Sequence, residues 1–315
     1  MAPDVLIVSL GTTAGLRRAD DALEASLRRA GATTALCRVA LPRHLPPTLP
    51  AQDFLLAGAA RRFVTASRAI LYSTTTAALL WRRPGAIRFD ALSAANRPGR
   101  HGIWQRPLER RRLASASLLV PWSDGALKEG PPVATPSLVV PVPVEPGAPG
   151  GRRDLAALTY GANPFKKGVD RVLAAWALAR REGETLLILG GPRVDAPGVL
   201  WQPLASPPQW RALLRRSRVY VTAPRREDYG LAQLEALAEG CVLVTAPAPG
   251  PYAALPVARA LYPRLVTDDL AGAVRAALDD PLADYAERAA EALAPWQPQA
   301  VDALVKDRLL PVLLG

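Results

Sequence analysis

The sequence predicts an α/β fold of two Rossmann-like domains with parallel sheets, and three observations carry that expectation. Continuously apolar runs alternate with helical stretches along the whole chain, as parallel strands covered on both faces require. A stretch dense in proline and glycine, 145–151, interrupts the alternation near the middle. The length, 315 residues, suits two domains of about 150 residues each.

The first element is a strand over 5–10, closed by Gly11, Thr12 and Gly15. A helix over 20–30 follows and stops at Gly31. A strand over 34–40 gives way to a proline-rich loop over 41–50, then a helix over 51–66. Strands at 69–72 and 86–89 continue the alternation, and Asp90 stands at the end of the second. The carboxyl ends of parallel strands face the ligand crevice, so Asp90 is a candidate contact, with a helix or turn cap as the competing role. A polar loop over 96–102 carries His101. Then come a basic helix over 106–116, a strand over 117–121, and an extended strand over 137–144 that closes the first domain.

The second domain opens with a strand over 155–161 and a helix running to 180 from the segment holding Asn163, Lys166 and Lys167. A strand over 185–192 ends in Gly190 and Gly191, a strand follows over 199–204, and a helix over 208–217 comes next. Residues 217–224 form a strand closed by Pro224. Glu227, Asp228, Tyr229 and Gly230 make a loop, and a helix begins at Leu231 and stops at Gly240. A strand begins at Cys241. Helices over 270–278, 281–293 and 298–314 complete the chain. The expected boundaries are 1–146, 152–297 and a terminal helix from 298 to 315.

The unit around 217–246 is thus strand, loop, helix, strand. A helix N-terminus presents free N–H groups and a positive dipole end, which suits phosphate, and a carboxylate beside it can accept from sugar hydroxyls. Glu227 and Glu235 are eight positions apart, with Tyr229-Gly230-Leu231 between them and Glu235-Ala236-Leu237-Ala238-x-Gly240 after. This run resembles the donor-site signature of the family 4 retaining glycosyltransferases of GT-B fold. That resemblance implies two Rossmann-like domains facing a central cleft, the terminal helix crossing back over the first domain.

It also implies transfer of a sugar from a nucleoside diphosphate sugar with retention of configuration. Lys167 and Glu227 are then the catalytic candidates, Lys167 stabilising the leaving diphosphate and Glu227 binding a donor-sugar hydroxyl. Glu235 takes the ribose hydroxyls, and Leu231 with its neighbouring N–H groups takes the diphosphate. Gly11, Thr12, Gly161, Asn163, Lys166, Gly190, Gly191, Asp228, Tyr229 and Gly230 complete the implied donor site, with Asp90 and His101 on the acceptor side. Lys167-Gly168 matches the Lys-Gly of the family's Gly-Arg-x4-Lys-Gly segment, but Ala162 stands where the family has arginine. Arg225, Arg226 and Lys166 are the residues available to compensate. Two other readings stay open: a non-catalytic relative that binds a sugar nucleotide, and a sugar-nucleotide epimerase.

Composition bounds the partners. Only four of the 39 basic residues are lysine, and two of those stand together at 166–167, where a compact ammonium suits a diphosphate. The net charge of +11 fits nucleic acid, an anionic membrane face or an anionic substrate. The densest cluster, Arg106 to Arg112, is a candidate patch for anionic headgroups, and the arginines come with no nucleic-acid recognition motif. A lipid-linked or polymeric acceptor is the expectation. Two cysteines far apart and two histidines argue against a disulfide framework or a zinc site, and no cofactor or metal is expected. No apolar run reaches the ~18 residues of a membrane span, and the N-terminus shows no leader, so the expected location is cytoplasmic, with association at the membrane's cytoplasmic face.

Overall fold

A computed structural model describes residues 2–40, 46–148, 150–280 and 282–315. The expected loop over 41–50 and helix over 281–293 therefore lie partly outside the described residues, as does Pro149 of the expected linker. The chain divides into two compact units, Met1–Pro143 with Pro298–Gly315, and Val144–Gln297.

In the first unit the order is β1 (Val5–Ser9), α1 (Ala14–Arg29), β2 (Thr34–Arg38), α2 (Leu49–Ala60), β3 (Ala69–Tyr72), α3 (Thr75–Ala78), β4 (Ala86–Phe89), α4 (Ser93–Asn96), α5 (Gln105–Ser115), β5 (Leu119–Pro121) and α6 (Asp124–Lys128). The strands pair in parallel in the order β2-β1-β3-β4-β5. Every residue of β1, β3, β4 and β5 is buried, which is why their sequences read as apolar runs apart from Ser9 and Arg88. α1 begins six residues before the expected start at 20, because Thr13 caps it: its hydroxyl accepts from the Leu16 amide at 3.2 Å.

Of the expected strand over 137–144 only the start joins this sheet, where Ser137 bridges Leu119 in parallel. Leu138 and Val140 donate to Leu119 and Pro121, each at 2.9 Å, but Pro141 and Pro143 have no amide to continue the ladder. The segment stays extended without becoming a strand.

In the second unit the order is β6 (Leu155–Tyr160), α7 (Pro164–Lys167), α8 (Val169–Ala179), β7 (Leu186–Leu189), β8 (Val199–Gln202), α9 (Pro207–Arg216), β9 (Ser217–Thr222), α10 (Leu231–Ala238), β10 (Val242–Thr245), α11 (Ala254–Leu261), α12 (Leu270–Asp279) and α13 (Tyr285–Ala292). The parallel order is β10-β9-β6-β7-β8, with the unit's first strand at the centre, whereas β1 of the first unit lies one strand in from the edge. Trp176 of α8 is buried in the core on one side, beside Val219, Val244 and Val274. α11 was not expected, since its sequence opens after Pro249, Gly250 and Pro251, which read as loop.

The chain ends in α14 (Pro298–Leu304), a π-helical turn over Val305–Leu309, and α15 (Leu310–Leu314). Pro311 supplies no amide to the preceding turn, and a widened turn absorbs the loss. Val301, Val305 and Leu309 pack on Leu23 and Leu27 of α1, and Arg29 forks onto Asp302 at 2.7 and 2.8 Å.

Candidate donor site in the second unit

Three loops at the carboxyl ends of β6, β9 and β10 converge, and glycines permit their approach. Gly168, at φ 64°, ends α7 with its Cα so close to the Ala223 carbonyl that a Cβ would lie 1.9 Å from that oxygen. Gly250, at φ 115°, presses likewise on the Glu227 carbonyl, and the Glu227 amide donates to Pro249 at 3.0 Å. The Arg225 amide donates to the Lys166 carbonyl at 2.9 Å. The 223–230 loop is thereby held between the other two.

This packing brings both catalytic candidates together. Lys167 Nζ lies 2.6 Å from Glu227 Oε2, with the Lys167 side chain 19% and the Glu227 side chain 5% exposed. Gln233 Nε2 donates to the same oxygen at 3.1 Å. Next to this pair, Asp228 accepts from Lys166 and, at 2.9 Å, from Arg226 Nε. Burial pushes the Asp228 carboxyl up, but Lys166 and then Arg226 outweigh it and hold it below the ordinary value. Asn163 caps α7 by accepting from the Lys166 amide at 3.1 Å.

Gly230, at φ 88°, is the residue before α10, so the helix opens at Leu231 immediately beyond the acidic loop. One turn in, the Glu235 carboxylate is 7% exposed, and its Oε2 accepts from the Trp210 indole at 2.7 Å. Tyr229 is buried, and its hydroxyl accepts from the Trp296 indole at 3.0 Å. A Cβ on Gly230 would run into the Tyr252 ring, whose hydroxyl bonds Thr245 at 3.0 Å.

The remaining candidate glycines have a structural reason of their own. Gly161, Gly190 and Gly191 end β6 and β7 side by side, and a Cβ on Gly191 would come within 2.3 Å of the Gly161 carbonyl. The cations available to compensate for Ala162 are all engaged by acids: Arg225 holds Asp170 at 2.6 Å, and Arg226 and Lys166 hold Asp228.

In the first unit, Gly11 is buried at φ 53° with its carbonyl accepting from Arg17 at 2.7 Å, and Thr12 is exposed beside it. Asp90 directly follows β4 and is half-buried. His101 sits exposed in a 3-10 turn over Gly99–Gly102, on the α2 side of the unit. Among the described residues no three His, Cys, Asp or Glu side chains gather as a metal site.

Sequence reasoning missed Trp210, Gln233 and Trp296, whose roles depend on which buried acceptor each faces. It also missed a buried pair in the first unit: Asp20 accepts from Ser9 at 2.5 Å and lies 3.6 Å from Arg88, whose guanidinium covers the Trp122 ring at 4.7 Å. Burial raises the Asp20 carboxyl, and Arg88 opposes that. The signal was present, since Arg88 interrupts an apolar strand and a buried charge needs a partner.

Residues 156–280 match the family Glycosyl transferases group 1. WaaG, a glycosyltransferase involved in lipopolysaccharide biosynthesis, has a similar structure at a TM-score of 0.71 and 14% identity, over 99% of both chains. HepE from Anabaena, solved with UDP and glucose, is similar at a TM-score of 0.67 and 13% identity, over 97% of this chain and 98% of that one. Sucrose-phosphate synthase from Thermosynechococcus elongatus is similar at 0.67 and 15%, over 99% of both chains. No curated protein matches by sequence. The chain thus has the GT-B fold along its whole length, and its second unit carries the match to the group 1 glycosyltransferases.

Proposed function

We propose that this protein transfers a sugar from a nucleoside diphosphate sugar to a lipid-linked or polymeric acceptor, with retention of configuration and without a metal ion or cofactor. The observation that carries the reading is the Lys167–Glu227 pair beside the opening of α10. In this reading the two side chains neutralise each other until the donor enters. The diphosphate then takes the Lys167 ammonium and the free N–H groups at Leu231, and Glu227 turns to a hydroxyl of the donor sugar. Charge developing on the departing diphosphate meets a cation and a helix dipole already in place. Glu235, its Oε2 held by Trp210, binds the ribose hydroxyls. The acceptor hydroxyl attacks on the face from which the diphosphate leaves, and no protein nucleophile takes part. The location is the cytoplasm, at the membrane face, and nucleic acid is not a partner. Among the described residues no helix is long and apolar enough to cross a membrane.

Ala162 and the engagement of Lys166, Arg225 and Arg226 by carboxylates favour a second reading, a sugar-nucleotide binder without turnover. Melting curves with UDP, GDP, ADP and dTDP and their common sugars test both, since a ligand raises stability by RT ln(1 + [L]/Kd). UDP is the first to try, because HepE was solved with it. Stabilisation of the wild type but not of Glu235→Ala supports the site, and no shift with any nucleotide overturns it. Nucleotide release on incubation with the donor separates the enzyme from the binder. Proton NMR of the product's anomeric centre tests retention.

A further inference from the structure

One face of the first unit combines unpartnered apolar side chains with unpaired arginines. α2 is apolar on every side except at Gln52 and Asp53. Its inner side buries Leu56, Ala57 and Ala60, while Phe54, 59% exposed, and Leu55 point outward. A helix apolar all round normally has both sides covered. Asp53 fixes what lies beside it, accepting from Gln105 Nε2 at 2.6 Å and Arg97 Nε at 2.9 Å. These bonds set the start of α5 against α2, and the Phe54 ring meets Trp104 edge-on at 5.6 Å. Ile103, the preceding residue, is 67% exposed, so Phe54, Leu55 and Ile103 form one apolar prominence.

Positive charge lies in the same two segments. Segments 46–66 and 97–116 carry eight arginines against two acids, and both acids, Asp53 and Glu109, are buried. Arg61, Arg62, Arg100, Arg110 and Arg111 are exposed, and none forms an ion pair among the described residues. Apolar side chains accompanied by unpaired arginines match the interface of an anionic bilayer, acyl chains below and phosphates around. A second copy of the chain would set arginine against arginine. A nucleic acid would leave Phe54, Leu55 and Ile103 against phosphate.

We propose that this face docks on an anionic lipid bilayer, Phe54, Leu55 and Ile103 entering the interface while Arg61, Arg62, Arg100, Arg110 and Arg111 meet the headgroups. It gives the proposed lipid-linked acceptor a surface to be reached from, but it stands on the first unit's geometry, and its test reads lipid binding without any transfer.

The test is co-sedimentation of the full chain with vesicles of phosphatidylcholine alone and of phosphatidylcholine mixed with phosphatidylglycerol. The protein should pellet with the mixed vesicles, remain in solution with the neutral ones, and be released by high salt. Arg110→Ala/Arg111→Ala should lower the partition coefficient roughly ten- to thirtyfold. Phe54→Ser/Ile103→Ser should lower it by roughly tenfold or more. Both variants alter exposed residues, so unchanged melting temperatures establish that they fold. The proposal is overturned by failure to bind the mixed vesicles, by equal binding to neutral ones, or by a Phe54→Ser/Ile103→Ser variant that binds like the wild type. It is also overturned if vesicles are ignored and that variant instead abolishes a dimer, or if salt-sensitive RNA binding appears without lipid binding.

Discussion

The indole N–H of Trp210, in α9, donates to the Glu235 carboxylate, in α10, across 2.7 Å of buried space. The bond uses one carboxylate oxygen and fixes the plane of the other. Tyr160 and Tyr220 meet the Trp210 ring edge-on at 5.9 and 6.1 Å, so the donor itself is held. Trp210→Phe keeps this packing and removes the donor. It should cost about 1.5–3 kcal/mol of stability, as for the loss of a hydrogen bond to a charged group. On the proposed function it should also weaken stabilisation by the nucleotide that the melting curves identify, and retention of the full nucleotide shift would separate Trp210 from the site.

Lys167 and Glu227 should show strong coupling. Lys167→Met leaves a buried carboxylate with only the Gln233 amide beside it, a loss of about 3–5 kcal/mol. Adding Glu227→Gln removes the orphaned charge, so the double variant should be more stable than Lys167→Met alone. Denaturant unfolding of the four proteins should give a coupling energy of about 1–3 kcal/mol. Additive effects would mean that the two groups do not interact in solution.

Gly168 separates a conformational requirement from a packing one. Gly168→Ala places a methyl group against the Ala223 carbonyl at positive φ and should cost about 2–4 kcal/mol. Gly183 also has positive φ, 79°, but open space around it. Gly183→Ala should therefore cost only about 1 kcal/mol. Equal losses in denaturant titrations would show that the 223–230 loop moves aside freely.

Asp228 makes the loop before α10 sensitive to acid. Its folded pKa lies below the unfolded value of 3.8, so it contributes stability above about pH 4 that is lost as pH falls through the folded value. Melting temperature followed from pH 5 to pH 2, values chosen to bracket about 3.8, should fall less steeply for Asp228→Asn than for the wild type. Parallel curves would dismiss the Lys166–Asp228–Arg226 network as a source of stability.

The two cysteines should differ in reactivity. Burial pushes the Cys241 thiol up to about 12, and its Sγ–H donates to the Leu214 carbonyl at 3.0 Å. Cys37 is half-buried at the sheet edge in β2. A thiol reagent should modify Cys37 in the native protein and reach Cys241 only after denaturation. Native modification of both would show that β10 opens readily.

Local signals made most elements legible in the amino-acid order. The apolar runs of β1, β3, β6 and β7 are buried on both faces, a property of composition alone. Positive-φ glycines ended helices where expected, as at Gly31 and Gly240. The loop between β9 and α10, with Glu227 before Gly230 and Glu235 after it, was legible because it lies within one strand-loop-helix unit. Elements failed where a distant partner decided. The segment over 137–144 looked like a strand, but a strand needs amides that Pro141 and Pro143 lack. α11 was hidden behind Pro249, Gly250 and Pro251, whose close packing on Glu227 only the folded chain reveals.

The order of residues by itself therefore determined the fold class, the strand sequence and the positions of Lys167, Glu227 and Glu235, because periodicity and turn chemistry act over a few residues. Tertiary structure alone decided that Lys167 faces Glu227, 60 residues away in sequence, and that Trp210 holds Glu235. It also decided that Phe54 and Ile103 share one exposed prominence. Pairing of buried charges and covering of apolar faces depend on which elements pack together, and that is settled only when the whole core forms.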